Sequence, residues 1–89
     1  MSKDLVIIKR LKRSPAQLKV LSSIKEPSTP AEIMRKIYGK SSATYFAIVS
    51  RALTKLKNYK LIQLINKDDK VDRIYTLTKK GKELVKKLN

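Results

Sequence analysis

Short, polar and basic side chains recur at helical spacing through the middle of the chain. At 100° per residue, positions 43–58 separate into an apolar face and an opposite, outward face. The outward face contains Ala43, Thr44, Ala47, Arg51, Thr54 and Asn58. Methyl groups of Thr44 and Ala47 can contact thymine, and the Arg51 guanidinium can pair with guanine or grip a phosphate. The alternative for Arg51 is a solvated helix surface.

The apolar face of the same segment is expected to hold the fold together. It contains Tyr45, Phe46, Val49, Ala52, Leu53 and Leu56, with Ile48 on its border. Tyr45 and Phe46 could also stack on bases, but their position beside Val49 and Leu53 favours packing in the core. We therefore predict that both aromatic rings are core residues.

Residues in the central segment, in two basic runs and in the stretch 67–73 could contact a polyanion. Around the central segment, the predicted contacts are Lys40, Ser41, Ser42, Thr44, Ala47, Ile48, Arg51 and Lys55. Backbone phosphates are expected to meet two basic runs, Lys9, Arg10, Lys12 and Arg13, and Lys79, Lys80 and Lys82, with a solvated surface as the alternative. Residues 67–73 hold three basic and three acidic residues. Lys67, Lys70 and Arg73 should therefore make only peripheral contacts.

Helix start and stop signals predict the elements that position these residues. Ser14 and Pro15 open one helix, which residues 25–28 break. Thr29, Pro30 and Glu32 form a capping-box pattern that opens a second, short helix, and Gly39 is suited to end it. A third helix is expected over residues 42–58.

The remainder of the chain predicts a hairpin between helices. Residues 61–65 and 71–76 suit two strands joined by a polar turn at 66–70. Thr78 can cap a last helix whose apolar edge is Leu84, Val85 and Leu88. Residues 1–13 suit a helix through Leu5, Ile8 and Leu11, although residues 5–8 also suit a strand. We favour the helix.

Composition narrows the classes of function. The 89 residues include 22 Lys and Arg against 7 Asp and Glu, a net charge of +15 that attracts polyanions unless it serves only to solvate the surface. The chain has no His and no Cys, so we expect no enzyme, no metal site and no cofactor. Apolar runs are too short to span a bilayer, so we expect a cytoplasmic, nucleoid-associated protein without a membrane partner.

The order of elements and two local strings resemble winged helix-turn-helix regulators of the MarR, PadR and ArsR type, including archaeal-like ones. The first string comprises Ser50, Arg51, Leu53, Leu56, Leu61 and Ile62 around the recognition helix, and the second comprises Tyr75, Leu77, Thr78 and Gly81 at the exit of the wing. The resemblance implies a mostly α, α+β fold with a three-helix core, a two-stranded wing and a C-terminal helix. Its expected parts are a basic extension (1–13), a helical core (14–60), the wing (61–77) and the last helix (78–89).

The resemblance also implies a function, sequence-specific binding of double-stranded DNA with the third helix in the major groove. A homodimer is expected to use Leu5, Ile8, Leu11, Leu84, Val85 and Leu88, unless these residues close the core of one chain. The alternatives are a chromatin-type DNA binder of low specificity and a winged-helix module that binds an acidic protein. Lys60 stands where these families commonly have Gly, so the left-handed turn is expected to move to Asn58 or to be reshaped.

Overall fold

Five helices and one small antiparallel sheet make up the part of the chain described by the computed structural model, residues 3–66 and 73–88. The elements follow the chain in the order α1, α2, α3, α4, β1, β2 and α5. Their bounds are α1 Lys3–Lys12, α2 Pro15–Ser23, α3 Pro30–Tyr38, α4 Ala43–Asn58, β1 Ile62–Leu64, β2 Tyr75–Leu77 and α5 Lys79–Leu88. The predicted α+β class with mostly helical content is confirmed.

Capping interactions begin and end the short helix α3 as the sequence predicts. The Glu32 amide donates to Thr29 Oγ1 over 3.3 Å, and the Thr29 amide donates to Glu32 Oε1 over 2.9 Å. The hydrogen bond from the Thr29 backbone, followed by that from its side chain, lowers the pKa of the Glu32 carboxyl. Gly39 ends α3 with a φ of 74°. Local side chains thus fix both ends of α3.

The ends of α4 show one agreement and one correction. Ser42 is the N-cap, and its Oγ accepts a hydrogen bond from the Tyr45 amide over 3.1 Å. After the helix, Lys60 adopts a φ of 63°, the only positive value outside glycine among the described residues. The expectation that the turn would move to Asn58 or be reshaped is wrong, because the left-handed residue stays at position 60 and lets the Leu61 amide donate to the Leu56 carbonyl.

The left-handed conformation of Lys60 predicts that glycine will be tolerated or preferred there. A side chain at this φ destabilises the folded chain by on the order of 1 kcal/mol, and Lys60→Gly removes this strain. Glycine also gives the unfolded chain more conformational freedom, which cancels roughly half of the gain in stability. We expect Lys60→Gly to leave the free energy of unfolding unchanged or raise it by up to about 1 kcal/mol. Urea unfolding measures the difference.

A β-branched residue supplies the matched control for this prediction. Lys60→Val cannot easily adopt a positive φ, so it should lower the free energy of unfolding by about 1 kcal/mol or more. Should Lys60→Gly unfold more readily than Lys60→Val, the turn does not have the described conformation.

The sheet joins the hairpin to the segment between α2 and α3. Strands β1 and β2 pair antiparallel, with Gln63 opposite Thr76. Ser28 adds a bridge to the other edge of β2, because its amide and carbonyl exchange hydrogen bonds with Tyr75 over 2.9 and 2.8 Å. The sequence predicted only a helix break over residues 25–28, so this bridge was missed.

Both described strands are shorter than predicted. The second strand covers Tyr75–Leu77 and therefore starts later and ends later than the expected 71–76. Residues 67–70 of the predicted turn and residues 71–72 of the predicted strand lie outside the described part of the chain. At its base, the Ile74 amide donates to Asn66 Oδ1 over 2.8 Å.

Thr78 locks the last helix onto the turn that follows α4. Its Oγ1 accepts from the Gly81 amide over 3.1 Å and donates to the Lys60 carbonyl over 2.7 Å. The Thr78 amide also donates to the Leu61 carbonyl over 3.0 Å. Gly81 is buried, and a Cβ atom at this position would collide with the Leu61 carbonyl oxygen. The predicted cap at Thr78 is confirmed.

One hydrophobic core draws on all five helices and the sheet. It contains Ile7, Leu11, Val20, Leu21, Ile24, Ile33, Met34, Val49, Ala52, Leu53, Leu56, Leu61, Ile62, Tyr75 and Leu84. Helix α1 contributes two of these residues and packs against α2 and α5. The expected basic extension thus contains a helix that inserts Ile7 and Leu11 into the core, while Leu5 and Val6 remain exposed.

Candidate nucleic-acid interface

The outward face of α4 has the composition that its sequence predicts. Ala43, Thr44, Ala47, Arg51 and Lys55 are exposed, and Ile48, on the border, is half-buried. Opposite them, the apolar side of α4 packs against α2, α3 and β1. The core thus holds α4 in place while a row of short and basic side chains remains open to solvent.

Two stacked tyrosines connect the end of α3 with the first turn of α4. The rings of Tyr38, at the end of α3, and Tyr45 lie parallel, 5° apart in plane and 4.2 Å between centroids. The Lys40 Nζ atom sits over Tyr45, 5.7 Å from its centroid. Lys40 is therefore held by a cation–π contact beside the first turn of α4. Ser41 is exposed next to it, whereas the Ser42 hydroxyl is engaged in the helix cap.

An open groove of about 510 Å³ runs between the start of α2 and the outer side of α4. Its lining consists of Ser14, Ala16, Gln17, Ile48, Arg51, Ala52, Thr54 and Lys55. The sequence singled out only the α4 members. Gln17 was missed, because neither its type nor its spacing distinguishes it from other polar helix residues. The groove places an amide side chain and two cations along one surface.

The first basic run leads directly to this groove. Lys9, Arg10, Lys12 and Arg13 are all exposed. The chain then turns, with the Ser14 amide donating to the Leu11 carbonyl over 3.0 Å, and Ser14 itself lines the groove. The four cations predicted as phosphate contacts thus precede the groove along the chain, and of this stretch only Ser14 lines it.

Phe46 lies outside the core, so its predicted position is wrong. Its side chain is 44% exposed, although it starts from the apolar half of α4. The buried stripe centres on Val49, Ala52, Leu53 and Leu56, and Phe46 lies at its edge. Tyr45, by contrast, is half-buried and packs on the core as predicted. The helical pattern placed Phe46 with the buried residues, although its side chain lies at the edge of the buried stripe.

The second predicted basic run and the hairpin cations lie elsewhere. Lys79, Lys80 and Lys82 belong to α5, which packs against α1, α2 and β2. Arg73 is exposed, while Lys67 and Lys70 fall outside the described residues. A second open groove, of about 540 Å³ between α2 and α3, holds three lysines that the sequence analysis did not select: Lys19, Lys25 and Lys36.

The candidate dimer residues divide into two groups. Leu11 and Leu84 are buried in the core of a single chain, so they offer no surface to a second copy and their assignment to a dimer is corrected. Leu5 is half exposed at 50%, as is its neighbour Val6 at 45%, and Ile8, Val85 and Leu88 are partly buried. The remaining candidates, Leu5, Ile8, Val85 and Leu88, thus keep some exposure on α1 and α5.

Two other kinds of site receive no support from the described residues. Within residues 3–66 and 73–88, no cluster of three or more metal-ligating side chains forms. In the same ranges, no helix is long and apolar enough to cross a membrane.

Comparison with known proteins yields no relative for this chain. No protein-family model, no curated protein and no solved structure matches it. Inference about function therefore starts from the surface of α4 and its surroundings.

Proposed function

We propose that this chain is a winged helix-turn-helix protein that binds double-stranded DNA sequence-specifically and regulates transcription. In this proposal α2, α3 and α4 form the three-helix core, and α4 is the recognition helix. The hairpin of β1 and β2 is the wing. We place the protein in the cytoplasm, associated with the nucleoid.

The outer surface of α4 is the observation that supports the proposal. Apart from Phe46 at its edge, its exposed residues are short, polar or basic, and the core fixes the opposite side of the helix. Short side chains allow the helix backbone to approach a groove floor, and α-helices fit the major groove of DNA. A net charge of +15 supplies the attraction to phosphate.

Each part of the surface has a role in this proposal. Thr44 and Ala47 approach base edges, and Arg51 forms paired hydrogen bonds with guanine. Lys40, Lys55 and the cations at residues 9–13 bind phosphates, which set the register of the helix on the duplex.

A homodimer completes the proposal, because one short helix reads few base pairs. Two copies of α4 about 34 Å apart would read the halves of a palindrome in successive major grooves. The candidates on α1 and α5 that keep some exposure, Leu5, Ile8, Val85 and Leu88, are the surface proposed for pairing.

The charge also favours a second candidate, a chromatin-type DNA binder of low specificity. Such a protein binds through phosphates alone, so its affinity is equal for all duplexes and falls steeply with salt. The third candidate, a winged-helix module that binds an acidic protein, predicts no duplex binding at all.

Binding across a salt series separates the three candidates. We expect a duplex enriched by selection to bind about a thousandfold more tightly than a random-sequence duplex near physiological salt. Arg51→Ala should reduce that preference about tenfold or more, because a paired contact to guanine discriminates by roughly 1–3 kcal/mol. Fluorescence anisotropy with labelled duplexes measures both quantities.

The double variant Lys12→Ala/Arg13→Ala is the matched control. It should weaken binding to both duplexes by a similar factor and flatten the salt dependence, while the preference for the selected duplex remains. Equal affinity for selected and random duplexes would support the chromatin-type candidate instead. Absence of duplex binding at low salt would leave only the protein-interaction candidate.

A further inference from the structure

Phe46 is a large apolar side chain left in solvent on the first turns of α4. It is 44% exposed, and its neighbours one turn away on the helix surface are Ser42 and Ser50. Ala43 and Ala47 lie on its outward side. The ring therefore stands above a surface of short side chains.

Single exposed apolar residues are common, so exposure alone does not indicate a site. Leu5, Val6 and Ile65 are exposed to a similar degree. Phe46 differs from them in its position, because it borders the strip of α4 that carries Thr44 and Ala47. Ile48 flanks that strip on the opposite side and is half-buried. The short side chains of this strip thus form a floor that curves with the helix between Phe46 and Ile48, which project about 160° apart around the helix axis.

The charge around this floor indicates the chemistry of its occupant. Lys40, Arg51, Lys55 and Lys57 are exposed on or beside α4, and α4 contains no acidic residue. A polyanion that also presents apolar groups fits both features. In the major groove of DNA, the apolar group available at base edges is the 5-methyl of thymine.

We propose that Phe46 is a specificity-determining residue that contacts thymine methyl groups, so that the bound sequence carries thymine where this flank of α4 meets the groove. The inference rests on the proposed function, and it names the bases that the site selects. Arg51 and Phe46 then read different features, a hydrogen-bonding edge and a methyl group.

Replacing thymine by uracil tests the proposal, since uracil lacks only the 5-methyl group. The probes are the duplex enriched by selection and a random-sequence duplex, each prepared with thymine and with uracil. The wild-type chain should bind the uracil duplex about three- to fivefold more weakly for each methyl contacted, as expected for one buried methyl group. Phe46→Ala should show a smaller thymine preference than the wild-type chain, by about three- to fivefold for each methyl group that Phe46 contacts.

Two variants guard against indirect effects. Ile65→Ala removes an apolar side chain that is 55% exposed and has no assigned role in binding, and it should keep the full thymine preference. Phe46→Gln supplies the same test if Phe46→Ala does not fold, as judged by circular dichroism. Because uracil also changes the duplex itself, only the difference between wild-type and Phe46 variants measures the contact.

Three outcomes overturn the proposal: equal wild-type binding to both versions, a preference that survives undiminished in the Phe46 variants, or a Phe46 effect confined to self-association in sedimentation. The preference of the wild-type chain for the selected over the random duplex is measured in the same series and decides the proposed function separately. No binding to any duplex removes the proposed function and this inference together.

Discussion

Replacing Gly81 by alanine is expected to lower the free energy of unfolding by about 3 kcal/mol or more. A Cβ atom at this position would collide with the Leu61 carbonyl oxygen. That carbonyl cannot turn away freely, because it accepts the Thr78 amide over 3.0 Å. Helix α5 must therefore move off the core. Chemical denaturation of both proteins measures the loss.

The expected loss of stability is opposite in sign to the usual effect of Gly→Ala in a helix. In an ordinary helix interior, Gly→Ala stabilises by about 1 kcal/mol because alanine is the better helix former. Gly39→Ala is the control: it meets no atoms but has a φ of 74°, so it should cost only about 1 kcal/mol. If Gly81→Ala proves as stable as wild type, α5 does not approach Leu61 this closely.

Leu11→Ala is the second large effect that we expect, a loss of about 3 kcal/mol. The Leu11 side chain is 0% exposed in the core, so truncation removes buried methyl groups and leaves a cavity. A domain of this size has a free energy of unfolding of about 5–10 kcal/mol, and the variant should melt well below wild type. Thermal unfolding followed by circular dichroism measures the change.

Leu5→Ala is the matched control, since it makes the same substitution in the same helix. Leu5 is 50% exposed, so its removal should cost under about 1 kcal/mol. Similar losses for the two variants would mean that α1 does not insert Leu11 into the core. A small loss at Leu11 would restore the view of residues 1–13 as an extension.

Local signals in the sequence predicted the helices well. Thr29, Pro30 and Glu32 specify the start of α3 through contacts within one turn, and Gly39 specifies its end. Ser42 and Thr78 act in the same way at α4 and α5. Such interactions depend on residues three or four positions apart, so no knowledge of the tertiary structure is needed to recognise them.

Features set by distant contacts were missed or misplaced. Ser28 looks like a loop residue, and only its pairing with Tyr75 makes it part of the sheet. Helix α1 appeared to be a basic extension because its exposed cations dominate its composition, whereas Ile7 and Leu11 are buried. Lys60 adopts the left-handed turn because the contacts of Leu61 and Thr78 outweigh its own preference.

The candidate interface was predicted only in part, because some of its residues also depend on contacts between distant elements. Helical periodicity identifies Thr44, Ala47 and Arg51 as outward residues, but it cannot decide the border of a stripe. Phe46 and Ile48 both lie at that border. Which of them is exposed depends on how α2 packs against α4, and Gln17 joins the groove through that packing.

The bridge between Ser28 and Tyr75 has a consequence for folding during synthesis. The helices α2 to α4 consist largely of local contacts, which form fast. The backbone groups of Ser28, however, find their partners only on β2, which the ribosome adds much later. The backbone groups of buried Ser28 thus stay without these partners until residues 75–77 emerge. Helices and hairpin then consolidate in one cooperative step.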